Sequence, residues 1–338
     1  MNSNYFSVAI LAGGKGSRLW PLSIPSHPKP FVELGALGTL YANTMERAAS
    51  LNPMDIFTIA EPSLENLCAR EGVSFIAEPA PRNTAGAVAL AGVASHRRLG
   101  EEGVVLVLPA DHWIPDLSIF RETVRRLTKT CMETGRLGLM GISPSGPETG
   151  YGYIEQGDSV GDAADVRRFV EKPDRETAAS MLRQGGFVWN SGMFVLPVSV
   201  LKEEMDRHCP GLWRAAEEWA ADGADRSFLD LDPVPIDIAL MEKTDRVVVT
   251  GARFGWSDVG NFRSLHAILS KDENGNAGWG PGRVEDCRDS LVITRRPETL
   301  VRNLDGMAYI QGKGGDLAVS LSDAEKIRGG VERILAKE

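Results

Sequence analysis

The chain has 338 residues, 43% of them hydrophobic, and its 37 Lys+Arg against 46 Asp+Glu leave a formal charge of −9. That balance excludes nucleic-acid binding by bulk charge, and the length suits about two domains with a substantial core. Apolar runs such as Val104–Leu108 fall far short of the ~20 residues of a membrane span, and the amino terminus lacks a basic flank before a long apolar stretch. A cytoplasmic protein with no membrane partner is expected.

In chain order, short β-branched runs alternate with helical patterns: strand 7–11, helix 39–50, strand 55–60, helix 63–70, strand 73–76, helix 84–98 and a wholly apolar strand 104–108. This cadence predicts an α/β fold, a Rossmann-like mixed, mostly parallel sheet flanked by helices, with Val104–Leu108 as a central strand covered on both faces. Further strands are expected at 137–141, 166–170, 188–196 and 246–250, with helices near 175–183 and 210–220. Gly, Asn and Asp concentrate around 271–282, which predicts a boundary between a first domain over 1–272 and a small β-rich domain over 273–338. Ile327, Val331 and Ile334 recur at spacings of four and three, so a terminal helix should dock one apolar face on that segment. Cys68, Cys131, Cys209 and Cys287 lack Cys-x-x-Cys spacing and read as buried thiols.

The first strand runs into Leu11-Ala12-Gly13-Gly14-Lys15-Gly16-Ser17-Arg18-Leu19-Trp20-Pro21-Leu22. Glycines there let backbone N–H groups approach a phosphate, at the strand end where α/β sheets bind ligands. A dinucleotide fingerprint would need a third glycine where Leu19 stands, the P-loop spacing fails, and Pro21, Pro25, Pro28 and Pro30 forbid a regular helix. The first 32 residues carry Lys15, Arg18 and Lys29 and no acid, so a cationic pocket in an anionic protein points to an anionic ligand. The alternative is a solvated loop whose basic residues pair with acids elsewhere.

Asp111 ends the buried strand in Leu108-Pro109-Ala110-Asp111-His112, and Asp258 lies in Gly255-Trp256-Ser257-Asp258-Val259-Gly260. Mg²⁺ takes one or two protein carboxylates with phosphate oxygens and water, so these two suffice if they converge. The alternative for each is a turn or helix cap. His112 is expected to hydrogen-bond or pack rather than to ligate.

Leu11–Leu22 followed by Pro28-Lys29-Pro30-Phe31 resembles the signature of sugar-1-phosphate nucleotidyltransferases. Glu78-Pro79, Arg82-Asn83-Thr84-Ala85, Pro109–His112, Thr149–Ile154, Phe169–Pro173, Trp189–Phe194, Ile236-Asp237, Met241-Glu242-Lys243 and Trp256–Gly260 look like the mannose-1-phosphate guanylyltransferase branch, in order and over nearly the whole chain. The resemblance implies a nucleotidyltransferase, GT-A-like fold. It also implies a reaction in which GTP and mannose 1-phosphate give GDP-mannose and pyrophosphate, with Mg²⁺ or another divalent cation. A sugar phosphate is largely dianionic at neutral pH and needs no general base, which agrees with the lack of a Ser-His-Asp or catalytic-cysteine arrangement. The protein's task is then alignment and charge neutralisation.

By the same resemblance, Arg18, Lys29, Asp111, Lys172 and Asp258 are the catalytic residues, with the metal on Asp111 and Asp258. Leu11, Ala12, Gly13, Gly14, Lys15, Gly16 and Arg18 should hold the nucleotide, with Glu78, Arg82, Asn83 and Thr84 near guanine and ribose. A carboxylate there can accept from guanine N1–H and N2–H₂. Lys172 should bind the sugar's phosphate, and Gly150, Tyr151, Glu171 and Asn190 its hydroxyls. Asn83 or Thr84 could instead N-cap the Ala-rich helix that follows, and Trp189, Met193 and Phe194 read as core. Of Tyr151 and Tyr153, one should face the sugar pocket.

Four positions depart from the family pattern: Pro81, Gly86, Pro235 and Ile238 stand where glycine, proline, serine and tyrosine are usual. They leave open another NTP and hexose 1-phosphate pair, and a regulatory homologue that binds nucleotide sugar without turnover. The segment after Gly282 is too short for the isomerase domain that bacterial relatives often append, so no isomerase activity is expected. The β-rich tail and its helix are the candidate homodimer contact.

Overall fold

The computed structural model describes residues 5–14, 17–69, 72–223 and 225–335, and the chain forms two compact units. Unit 1 comprises Met1–Gly13, Glu46–Pro109 and Pro115–Gly255, and unit 2 comprises Gly14–Met45, Ala110–Ile114 and Trp256–Glu338. The division falls at Gly255 rather than at the expected 272. Phe262 and Leu265 share one apolar core with Ala277, Leu291, Ile293 and Ile310, which draws the segment before the Gly/Asn-rich loop into unit 2.

Among the described residues nine strands build unit 1: β1 (Phe6–Leu11), β2 (Asp55–Ala60), β3 (Ser74–Ala77), β4 (Val104–Pro109), β5 (Leu137–Ile142), β6 (Tyr153–Val160), β7 (Ala163–Val170), β8 (Phe187–Pro197) and β9 (Val247–Ala252). The helices in chain order are α1 (Leu40–Ser50), α2 (Glu65–Cys68), α3 (Asn83–Leu99), α4 (Leu117–Thr134), α5 (Arg175–Gln184), α6 (Val198–His208), α7 (Leu212–Asp222) and α8 (Arg226–Leu229), followed by a π-helical turn at Asp237–Met241. The sheet order is β3-β2-β1-β4-β8-β5-β9-β7-β6. β3, β2, β1 and β4 run parallel, so their carboxyl ends at Ala77, Ala60, Leu11 and Pro109 share one edge. β8 is antiparallel to both β4 and β5, and β5 pairs in parallel with β9.

The apolar run of β4 is buried, as a strand covered on both faces requires. α3 buries an Ala- and Val-rich face in the same core as Phe57, Val105, Val107, Leu139 and Trp213. The sequence reading assigns no element to 117–134, yet α4 carries clear end signals. The Asp116 side chain accepts from the N–H groups of Ser118 and Ile119 at 3.0 Å each, and Gly135 closes the helix at φ 62°.

In unit 2, β10 (Ala277–Trp279), β12 (Leu291–Ile293) and β14 (Met307–Gly312) stack in parallel, β15 (Gly315–Ser320) pairs antiparallel with β14, and β11 (Arg283–Glu285) pairs in parallel with β13 (Leu300–Arg302). Helix α9 (Phe262–Ile268) opens with a reciprocal Asn261–Ser264 capping box. The chain closes in a 3₁₀ segment, Leu321–Ile327, and α10 (Arg328–Leu335). Val331 is buried as expected, but Ile334, one turn further along the same helix, is 45% exposed, so the apolar face of α10 docks at Val331 and not beyond it. None of the four cysteines is in a disulfide; three of them are buried and Cys209 is partly so. Among the described residues no helix is long and apolar enough to cross a membrane.

Candidate active site

At the carboxyl edge of the parallel strands in unit 1, Leu11 ends β1 and the N–H of Ala12 donates to Ile59 O at 3.0 Å. Glu78, just past β3, donates its N–H to Ala60 O at 2.8 Å, so both residues flank the end of β2. Gly13 is exposed and a Cβ there would meet nothing within 4 Å, which leaves its backbone open to a ligand. Burial and the charge of Glu61 push the Glu78 carboxyl up to about 7, against an opposing hydrogen bond from the Arg82 N–H at 3.3 Å.

The Arg82 guanidinium is engaged by the main-chain carbonyls of Phe228, at 3.3 Å, and Leu229. It fixes the end of α8. Asn83 and Thr84 do not cap α3: Asn83 is its first residue, at φ 59°, with its side chain accepting from the Thr84 N–H, and the Thr84 hydroxyl accepts from Ile236 N–H at 2.9 Å. Thr84 therefore ties the start of α3 to the π-helical turn. Gly86 has its own packing reason, since a Cβ there would lie 2.9 Å from the Phe228 ring.

A second cluster in unit 1 gathers residues from β8, the end of β7 and the π-helical turn. The Asn190 amide donates to Asp237 Oδ1 at 2.7 Å and accepts from Gly192 N–H at 3.1 Å. Lys172 Nζ lies 2.6 Å from Glu171 Oε1, with the Lys172 side chain 58% exposed and that of Glu171 10% exposed. The N–H of Glu171 donates to Glu242 Oε1 at 3.0 Å. Gly152 sits beneath this pair, where a Cβ would meet Glu171 Oε2 at 2.7 Å. Burial and the Glu171 charge push the Asp237 carboxyl up to about 6, with Lys172 and the Asn190 bond opposing. Lys172 holds φ 46°, a conformation rare outside glycine.

Tyr151 is half-buried with its ring 5.0 Å from that of Trp189, whereas Tyr153 is buried and donates its hydroxyl to Glu148 O at 3.0 Å. Gly150 is exposed. Trp189, Met193 and Phe194 are core residues, as expected. Asp237 and Glu242 lie within strings already singled out in the sequence but carried no assigned role. The signal was present, because an acid followed by the apolar run Ile238–Met241 is poorly placed on a solvated face.

In unit 2 the buried Lys29 Nζ lies 2.6 Å from Asp111 Oδ2 and also donates to the carbonyl of Asp258. One ammonium thus gathers both candidate metal residues. Pro28 and Pro30 flank Lys29 on a short 3₁₀ turn, which stiffens its backbone. Burial alone would raise the Asp111 carboxyl, but the charge and hydrogen bond of Lys29, with His112 nearby, outweigh it and hold the group below the usual carboxylate range. Asp258 accepts from Gly260 N–H at 3.1 Å, and the intervening Val259, buried and β-branched, holds φ 46°. A β-branched residue in that region is strained, and such strain collects at functional turns.

Trp256 Nε1 donates to His112 Nδ1 at 3.2 Å; since indole only donates, the neutral imidazole carries its proton on Nε2, 3.9 Å from Asp111 Oδ1. Paired backbone bonds of 2.9 and 3.1 Å between Trp113 and Ser257 hold the two segments in register. Gly14 lies at φ 101° and Arg18 is exposed, while Lys15 and Gly16 fall outside the described residues. Among the described residues no group of three or more His, Cys, Asp or Glu could close around a metal ion. Lys29 holds the Asp111 carboxylate and the Asp258 main chain, and the two side-chain carboxylates of these residues fit an Mg²⁺-type ion, which takes its remaining ligands from phosphate and water.

The family model for nucleotidyl transferases matches residues 7–275, and the chain belongs to that family of enzymes. It is similar to a mannose-1-phosphate guanylyltransferase of Sinorhizobium fredii, 36% identical over 354 residues that cover 98% of this chain and 68% of the relative. One of the same name from Escherichia coli is 32% identical over 344 residues, covering 96% and 72%. A solved structure from Thermus thermophilus, titled a mannose-1-phosphate geranyltransferase, superimposes with a TM-score of 0.88 at 33% identity, covering 98% of this chain and 99% of that one. The fold is that of a nucleotidyltransferase.

Proposed function

We propose that this chain is a mannose-1-phosphate guanylyltransferase, which transfers GMP from GTP to mannose 1-phosphate and releases pyrophosphate with GDP-mannose. The observation that carries the reading is the Lys29 ammonium shared by Asp111 and Asp258, in a chain whose relatives bear that name. Asp111 and Asp258 would hold Mg²⁺, which when bound supplies positive charge to the phosphates. Lys29 is a second fixed cation, positioned before the reaction by two partners, and serves the α-phosphate as charge develops in the in-line displacement. Arg18 and the open Gly13 and Gly14 backbone suit the triphosphate, and Glu78, when ionised, suits the donor edge of guanine.

The sugar phosphate falls to the other cluster. Lys172 offers an exposed ammonium to its phosphate, and Glu171 and Asn190 offer polar groups to its hydroxyls. With one N–H on Asp237 and its oxygen on Gly192, Asn190 keeps one N–H and one lone pair for a ligand. The nucleophile is a phosphate oxygen that is already ionised, so no side chain has to remove a proton. Thiols that form no disulfide agree with a reducing compartment, and we place the reaction in the cytoplasm.

The experiment is pyrophosphate release by the pure protein with Mg²⁺, crossing GTP, ATP, UTP and dTTP with mannose 1-phosphate and glucose 1-phosphate. Release confined to GTP with mannose 1-phosphate is expected. Preference for another pair, or no release from protein that binds GTP, would overturn the reading.

A further inference from the structure

Unit 2 holds a cavity of about 350 Å³ that the reaction above does not use. Its apolar lining includes Ile293 and Trp279. Its polar lining brings three basic residues, His27, Arg295 and Lys313, against one acid, Glu33. Burial, together with the charges of Lys313 and Arg295, pushes the His27 imidazole below its ordinary value, against the Glu33 charge and a backbone hydrogen bond to Phe31, so at neutral pH it enters the cavity as a neutral hydrogen-bonding group.

Each basic residue is delivered by a fixed piece of backbone. The N–H of His27 donates to Ile24 O at 2.9 Å, and its own carbonyl accepts from Ile24 N–H at 3.2 Å. Gln311 is 2% exposed, and its side-chain oxygen accepts from the N–H groups of Arg295, at 2.9 Å, and Arg296, at 3.3 Å. Lys313 follows Gly312, where a Cβ would meet Pro21 O at 2.1 Å, and precedes Gly314, whose N–H donates to the same oxygen at 3.1 Å. Arg296 points its charge to Asp316. Among the described residues, neither Arg295 nor Lys313 has an ion-pair partner. Arg295 and Lys313 bring two positive charges on pinned backbone against the single acid Glu33, so a further anion completes the set, and this occurs in a chain whose formal charge is −9.

We propose that this cavity binds a small phosphorylated metabolite, with His27, Arg295 and Lys313 on the phosphate and Trp279 and Ile293 against the organic part, and that its occupancy is felt at Lys29. Binding pockets of a few hundred Å³ hold molecules of about this size. The coupling follows from chain geometry. His27 stands two residues before Lys29, with Pro28 between them and Pro30 beyond, so few soft dihedrals separate the cavity from the catalytic ammonium. A ligand that prefers one placement of this segment shifts the affinity for the nucleotide by the same free energy. The binding claim stands apart from the proposed reaction, and the coupling claim rests on it.

The test is calorimetric titration of glucose 6-phosphate, orthophosphate and glucose into the full chain and into the double variant Arg295→Glu/Lys313→Glu. Glucose 6-phosphate should bind the wild type, and the double variant should weaken it about tenfold or more. Orthophosphate should bind less tightly than the ester, and glucose should not bind. Equal affinity of both proteins for the ester, or no phosphate binding to the wild type, overturns the site; orthophosphate binding as tightly as the ester overturns the organic part. GTP titrated into both proteins reports whether the active site is intact, and the two affinities should agree. For the coupling, saturating glucose 6-phosphate should shift the GTP affinity of the wild type about threefold or more and leave the double variant unmoved. An unshifted wild type overturns the coupling. A chain that binds the ester yet releases no pyrophosphate refutes the proposed reaction and leaves the site standing.

Discussion

Asn190 on β8 and Asp237 at the head of the π-helical turn share a 2.7 Å hydrogen bond that joins the sheet to that turn. The carboxyl is buried, beside the Glu171 charge, and is pushed up to about 6. Its folded value lies above its unfolded value, so the stability it contributes is complete below about pH 4 and is lost as pH rises through about 6. Asp237→Asn keeps an acceptor for the Asn190 amide and removes the ionisation. Urea melts should therefore show the variant gaining on the wild type between about pH 4 and 8. A difference between the two proteins that is the same at both pH values would refute the burial argument. Asp237→Ala should cost ~1–3 kcal/mol at either pH, because it leaves the Asn190 N–H without its partner.

Gly152 permits the Glu171 carboxylate to lie over its backbone. A Cβ at Gly152 would stand 2.7 Å from Glu171 Oε2 and 3.2 Å from the Phe169 ring, so Gly152→Ala has to displace the Glu171–Lys172 pair. Losing one charged hydrogen bond costs ~1.5–3 kcal/mol, about 10–100-fold in affinity. Steady-state kinetics should show KM for mannose 1-phosphate rising by that factor, with GTP affinity held within about twofold. An equal loss for both substrates would mean that the substitution damages the fold rather than the sugar cluster.

Lys29 and Asp111 act as one unit with Asp258, so their removal should be costly to the reaction and cheap to the fold. Lys29→Ala should lower kcat by about 10²–10³, or ~2.7–4 kcal/mol, as expected for a preorganised charge at a developing anion. Asp111 is 31% exposed, so water can take over part of its solvation and the melting temperature should hold. Asp111→Asn should raise the Mg²⁺ concentration needed for half-maximal activity, and a chelator should abolish turnover until Mg²⁺ is restored. Turnover by Lys29→Ala within about threefold of wild type would end the electrostatic role. His112→Ala should be milder, since His112 reaches Asp111 Oδ1 only at 3.9 Å.

Much of this arrangement is legible in the sequence. Periodicity located β1, β2, β4 and β9 closely, because buried parallel strands are continuous apolar runs. Lys29, Asp111 and Asp258 can be named from their motifs, but only the fold shows that a single ammonium touches the Asp111 carboxylate and the Asp258 main-chain carbonyl. Helix α4 escaped the reading because its buried residues, Phe120, Val124, Leu127 and Cys131, are diluted by buried threonines and exposed charge. The capping expectation for Asn83 and Thr84 failed for a tertiary reason, the hydroxyl of Thr84 being taken by Ile236 from 152 residues away. For Asp237 the following apolar run hints at burial, but its partner Asn190, 47 residues earlier in the chain, is not revealed by spacing.

Glu78 supplies the pH dependence of nucleotide binding. Burial and the Glu61 charge push its carboxyl up to about 7, so near neutrality the free protein carries it partly protonated. The stability this group contributes is complete below about pH 4.5 and is lost as pH rises through about 7. Guanine presents N1–H and N2–H₂ as donors, which only the ionised carboxylate can accept with both oxygens. GTP binding should therefore expel a proton from Glu78, and affinity should rise between about pH 6 and 8. Glu78→Gln cannot ionise; it should bind GTP with an affinity that is flat across that range and weaker than wild type at the upper end. Calorimetry in two buffers of different ionisation enthalpy would count the released proton directly. A wild-type affinity that does not change with pH, or a Gln variant that keeps the slope, would remove Glu78 from the guanine site and return the choice of base to the loop around Pro81.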